Sequence, residues 1–164
     1  MSKLLHNHME AAIAIAKKLP VKHVVECGVG GISTLWFLDP VLFPDLEILT
    51  SLETQAHWLN TVSKDVKDKT KWRTNIVRSE QHMGDFLEPA DVMLVDSFTI
   101  QGRIAILQSM SKKENVKFII LHDSQYSDYN PVISKFKYSY IFCERDVPAT
   151  VLSNTVNLSE FFND

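Results

Sequence analysis

Cysteine is scarce in this chain, with Cys27 and Cys143 the two examples in 164 residues. Two cysteines build neither a disulfide framework nor a four-ligand zinc site, and Cys27 lies in an apolar run where a buried thiol is the ordinary occupant. A reducing compartment fits, so the expected location is the cytoplasm. Basic residues are not in excess: 17 Lys and Arg stand against 20 Asp and Glu, a net charge of −3. No global positive field attracts a phosphate backbone, and a nucleic-acid partner is not favoured. Long hydrophobic runs are missing too. The Ala/Ile stretch at residues 11–16 follows His6, His8 and Glu10 and is expected to be neither signal peptide nor membrane span. With 45% hydrophobic and 23% charged residues, and only five glycines and six prolines, disorder and fibrous structure are excluded. What remains is a single globular domain over residues 1–164.

Apolar residues at Leu5, Met9, Ala12, Ile13 and Ala16 carry the spacing of one helical face, which predicts a helix over 4–19, ended by Pro20. Short β-branched or apolar runs then recur at 21–27, 46–52, 75–77, 91–96 and 116–121 and read as strands. Helices are predicted between them at 33–38, 54–66 and 101–112, with Thr54 as an N-cap. Nearly continuous apolar strands alternating with helices predict a parallel sheet covered on both faces, a three-layer α-β-α sandwich. Asn130 and Pro131 form an N-cap and first-turn pair for a short helix. Runs at 138–143 and 149–153 flank a polar turn through Asp146 and Pro148, the pattern of an antiparallel hairpin.

Three of the five glycines, Gly28, Gly30 and Gly31, fall within four residues after the first strand. Glycines there permit a sharp turn and a close ligand approach, and the next helix offers free N–H groups. The dinucleotide pattern is met in part, because its last position holds Ser33. Two acids sharpen the pattern. Glu53, ending the second strand, suits the two hydroxyls of a ribose. Glu26, two residues before Gly28, would repel a pyrophosphate and suits an ammonium group. A ligand with an ammonium and an adenosine ribose but no phosphate is S-adenosylmethionine. A ligand-free strand-to-helix turn, with both acids facing water, is the plainer alternative.

The run from Val24 through Glu26, Cys27, Gly28, Val29, Gly30, Gly31, Ile32, Ser33, Thr34, Leu35 and Trp36 resembles motif I of class I S-adenosylmethionine-dependent methyltransferases. Ser51, Leu52 and Glu53 followed by Trp58 resemble an acidic second motif with its tryptophan. Residues 90–96 with Arg103 resemble the fourth motif, and residues 118–124 a fifth strand ending in His-Asp. The resemblance covers residues 20–130. It implies a seven-stranded, mostly parallel Rossmann-like sheet whose last two strands form a hairpin. It also implies that Glu26 and the backbone from Gly28 to Gly31 hold the methionine part of the cofactor, assisted by Ser33. Glu53, with Thr54, would hold the ribose, and Asp96 is a further cofactor-binding candidate. Ile32 departs from the third motif glycine, and Val-Asp-Ser replaces Val-Asp-Gly. Ser79, Glu80 and Gln81 are candidates for the adenine neighbour.

Asp96 ends the fourth strand and His122 and Asp123 end the fifth, so parallel order brings them to the edge that carries the glycine turn. Methyl transfer to a hydroxyl requires a proton acceptor, a role that suits His122. Asp96 and Asp123 alternatively suit a magnesium-type ion, although no metal is predicted. The plainer alternatives are a backbone-bonded histidine and a turn-initiating Asp-Ser pair. Trp58 fits core packing or a pocket wall equally. Residues 64–73, rich in lysine, fit a solvated helix end, and His6 and His8 are too few for a metal site. The expected activity is methyl transfer to an oxygen of a small molecule. The alternatives are a non-catalytic cofactor-binding module and, further off, a nicotinamide-dependent oxidoreductase.

Overall fold

The computed structural model describes residues 7–143 and 147–163; His6 and Asp146 lie outside them. The element order is α1 (Asn7–Lys18), β1 (His23–Cys27), α2 (Ser33–Phe37), β2 (Ile48–Glu53), α3 (Ala56–Ser63) and β3 (Trp72–Ile76). A 3-10 turn (Glu80–Asp85) precedes β4 (Ala90–Val95), α4 (Ile100–Met110) and β5 (Val116–Leu121). A second 3-10 turn (Ser127–Tyr129) leads to α5 (Asn130–Ile133), β6 (Tyr138–Phe142), β7 (Ala149–Ser153) and α6 (Leu158–Asn163). The strands form one sheet in the order β3-β2-β1-β4-β5-β7-β6. The first five are parallel, whereas β7 runs antiparallel to both β5 and β6. This is the seven-stranded sheet with a terminal hairpin that the sequence predicts.

The apolar runs are continuous because both faces of the central strands are covered. Along β4, Val92 and Leu94 enter one core with Met9, Ile15, Phe37 and Leu158, while Met93 and Val95 enter another with Ile106, Leu107 and Met110. Alternate side chains of a strand point to opposite faces, so this split defines the three layers. Helices α1, α2, α3 and α6 contribute to the first core, and α4, α5 and the Glu80–Asp85 turn to the second.

Local chemistry moved several boundaries. Residues 72 and 73 start β3 and do not end a helix: the Trp72 ring is buried and its Nε1 donates to Ser51 Oγ at 2.9 Å. Thr54 does not cap α3. That position is Gln55, and the Thr54 N–H donates instead to Glu53 Oε1 at 2.7 Å. Asn130 is the first residue of α5 rather than its cap. Helix α6 was not predicted; Phe161 and Phe162 pack it on the sheet, where Phe162 stacks 4.8 Å from Tyr140. No helix among the described residues is long and apolar enough to cross a membrane.

Sheet order reverses between β1, whose next strand lies on one side, and β4, which lies on the other. Ligands of open α/β sheets bind at the carboxyl ends of the strands beside such a switch. Here Gly28 follows β1, Glu53 ends β2, Asp96 follows β4, and His122 and Asp123 follow β5.

Candidate functional site

The turn after β1 is held from below by Glu26. Its side chain is fully buried, and its carboxylate accepts hydrogen bonds from Ser33 Oγ, from Thr34 Oγ1 at 2.7 Å, from Ser51 Oγ at 2.8 Å and from the Gly30 N–H at 3.3 Å. Burial pushes its pKa up to about 7, against the pull of the three hydroxyls and the amide. Glu26 therefore does not face the pocket where an ammonium was expected, and Ser33 is buried with it. The reason is geometric: a side chain inside β1 alternates into the sheet's covered face, and polar partners from α2 and β2 make that burial tolerable.

Gly28 has φ +92°, and a Cβ there would lie 2.5 Å from the Asp96 carbonyl oxygen. The ends of β1 and β4 approach so closely that only glycine fits. Gly30 and Gly31 have no such constraint from backbone φ and do not line the cavity.

The cavity occupies about 390 Å³ above these strand ends. Gly28, Val29, Glu53, Thr54, Trp58 and Asp96 line it, together with Gln55, His57, Glu80, Met83, Ser97 and Phe98. Glu53 is preorganised by backbone amides: Oε2 accepts from Val29 at 3.0 Å, and Oε1 from Thr54 at 2.7 Å and Gln55 at 2.9 Å. A carboxylate has about four lone-pair sites, so Oε2 keeps capacity for a ligand hydroxyl. Trp58 is a wall of the cavity, with its Nε1 donating to the Val29 carbonyl at 2.6 Å. Of the three adenine candidates, Glu80 lines the cavity; its carboxylate accepts from the Thr99 N–H at 2.9 Å and from the Thr99 hydroxyl. Among the described residues three acids and no Lys or Arg line the space, with Arg103 pairing Asp96 from outside it; Glu53 and Glu80 favour cations there over phosphates.

Asp96, His122 and Asp123 converge beside this cavity, although only Asp96 lines it. His122 Nδ1 lies 2.9 Å from Asp123 Oδ1 and 3.6 Å from Asp96 Oδ1. Asp123 has φ +52°, a left-handed conformation that aspartate tolerates better than most residues. Arg103, buried on α4, locks the group: NH2 donates to Asp96 Oδ1 at 3.1 Å, NH1 to Asp123 Oδ2 at 3.4 Å and to the His122 carbonyl at 3.2 Å, and Nε to the Ser97 carbonyl at 2.7 Å.

Sequence reasoning missed two contributors. Phe98, 84% exposed at the cavity rim, carries no signal beyond being an aromatic just after Asp96. His8 is not a loose terminal residue: it sits in α1, buried, with its ring 4.1 Å from that of His122, edge to face. Its place on the helical face with Ala11, Ala12 and Ile15 was the available sign.

No family model and no curated protein matches the chain. Solved structures do. The chain is similar to spermidine synthase from Thermotoga maritima, with TM-score 0.68 and 15% identity over 95% of this chain and 62% of that one. It is similar to human methyltransferase-like protein 13 in complex with SAH, with TM-score 0.62 and 18% identity over 91% and 82% of the two chains. It is also similar to M. capricolum TrmK bound to its cofactor product S-adenosyl-homocysteine (SAH), with TM-score 0.62 and 13% identity over 94% and 71%. The chain thus spans less than two thirds of the spermidine synthase. At these identities the likeness is one of fold, and the fold is the Rossmann-like one of class I methyltransferases, as the motifs implied.

Proposed function

We propose that this protein binds S-adenosylmethionine and transfers its methyl group to an oxygen of a small molecule. The observation that carries the reading is Glu53, a carboxylate fixed by three backbone amides at one end of an acid-lined cavity, with Gly28 and Val29 beneath and Trp58 alongside. Such a group takes ribose hydroxyls. The lining acids suit a ligand whose amino and sulfonium groups are positive, and they oppose the pyrophosphate of a nicotinamide cofactor. Asp96, which also lines the cavity, takes the amino-acid part in this reading.

In this reading Glu26, Gly30, Gly31 and Ser33 act through the shape of the turn, and Thr54 supports Glu53. His122 takes the proton of the acceptor hydroxyl as the methyl passes from sulfur to oxygen, leaving the neutral thioether product. Asp123, 2.9 Å from Nδ1, holds the imidazole and stabilises its charged form. Arg103 fixes both carboxylates. The negative net charge and acidic cavity favour a small uncharged or cationic acceptor over nucleic acid.

Calorimetric titration of the full chain with S-adenosylmethionine and S-adenosyl-homocysteine tests the binding. One site is expected, weakened by Glu53→Ala. No heat, or unchanged affinity in that variant, overturns the reading. A panel of hydroxylated acceptors then tests transfer, which His122→Ala abolishes without loss of cofactor binding.

A further inference from the structure

We propose that His8, His122 and Asp96 form a binding site for a divalent transition cation of the zinc class. One ligand atom from each lies within 4.8 Å of the others, a grouping that α1, β4 and β5 assemble only in the folded chain. Metal-to-ligand distances of about 2.0–2.2 Å place ligand atoms roughly 3.4 Å apart in a tetrahedral set, so small side-chain rotations close the trio. The two imidazoles already meet edge to face at 4.1 Å.

Donor chemistry selects the ion. Magnesium and calcium take oxygen ligands, whereas two imidazoles with one carboxylate suit zinc, iron, cobalt or nickel. Three protein ligands leave a fourth position open, the arrangement of sites that act on a bound oxygen. Among the described residues, Asp96 and Asp123 bring carboxylates to the histidines, and Arg103 pairs with both. Arg103 engages Asp96 through Oδ1, and a carboxylate has further lone pairs. Asp123 lies 2.9 Å from His122 Nδ1, so it is the supporting carboxylate when His122 turns to hold the ion through Nε2.

Asp96 also lines the cavity, so a cation there would sit at its edge and lower the pKa of an oxygen acid bound in the open position. That use of the ion rests on the methyl-transfer reading, with the cation in place of His122 as the group that makes the acceptor oxygen nucleophilic and with Asp96 committed to the ion; the binding site itself does not depend on that reading.

The test is titration of the chelator-treated full chain with Co²⁺ and with Zn²⁺, followed by visible ligand-field absorption and calorimetry, with Mg²⁺ as a parallel arm. One equivalent of Co²⁺ or Zn²⁺ is expected, with at least tenfold weaker binding in His8→Ala and in His122→Ala and no change in Cys143→Ser. No binding, binding of Mg²⁺ alone, unchanged affinity in His8→Ala, or loss in Cys143→Ser overturns the proposal. Should His8→Ala fail to fold, the paramagnetically shifted imidazole signals of the Co²⁺-loaded native chain count its histidine ligands: two support the site, and one or none refutes it. Cofactor titration is a separate measurement, so failure of one reading is distinguishable from failure of the other.

Discussion

The Val29 amide donates to Glu53 Oε2 across 3.0 Å, so the glycine turn and the end of β2 are one hydrogen-bonded unit. Glu53→Ala leaves three amide donors without their acceptor and removes the group assigned to the ribose. The expected result is a stability loss of about 1–3 kcal/mol and at least tenfold weaker S-adenosyl-homocysteine binding, read by urea melts and calorimetry.

Glycines 28 and 31 make a matched pair. Gly28→Ala must adopt φ +92° with its Cβ against the Asp96 carbonyl, whereas a Cβ at Gly31 meets nothing within 4 Å. A loss of about 2 kcal/mol or more is expected for Gly28→Ala and less than about 1 kcal/mol for Gly31→Ala. Equal losses in denaturant unfolding would refute the close-approach argument.

Glu26 makes stability depend on pH. Its pKa rises from 4.5 to about 7 on folding because burial penalises the carboxylate. The folded chain therefore holds a proton that the unfolded chain has released. This contribution is complete below pH 4.5 and is lost as pH rises toward 7, by roughly 3 kcal/mol in total. Glu26→Gln lacks the titrating group, so the stability difference between native and variant proteins should shift in favour of the variant from pH 5 to 8. A constant difference across that range excludes the effect.

Arg103 reaches two carboxylates and two carbonyls from one planar fork. Arg103→Leu should cost about 1–3 kcal/mol, reduced from a fully buried pair because both aspartates are partly exposed. Arg103→Lys should fail to restore it, since an ammonium cannot span the same partners. Rescue by lysine would mean that charge alone matters.

The two thiols should differ in reactivity. Cys143 is exposed, whereas Cys27 is buried in β1, where desolvation and the neighbouring Glu26 drive its pKa far up. Native protein should label with one equivalent of a thiol reagent and unfolded protein with two. Two equivalents at native pH would contradict the burial.

Alternation of apolar runs and turn residues made the sheet, its hairpin and the strand ends legible before any coordinates. Period and punctuation are local properties, and the parallel arrangement follows from strands that are apolar on both faces. Boundaries beside charged residues were not legible. The lysines of residues 64–71 obscured Trp72, whose partner Ser51 lies 21 positions away. Helix α6 was missed because six residues carry too little periodicity to announce a helix.

For the site, residue type along the chain established which strand ends carry acids, glycines and a histidine. It did not establish where those groups point. Glu26 and Glu53 are the same residue type near the ends of neighbouring parallel strands, yet one is sealed under the turn by three hydroxyls while the other stands on amides at the cavity. His8 reaches His122 only because α1 folds back across the sheet. Composition and spacing act through neighbours in sequence, whereas burial, cavity shape and the meeting of residues more than a hundred positions apart follow from how the layers pack.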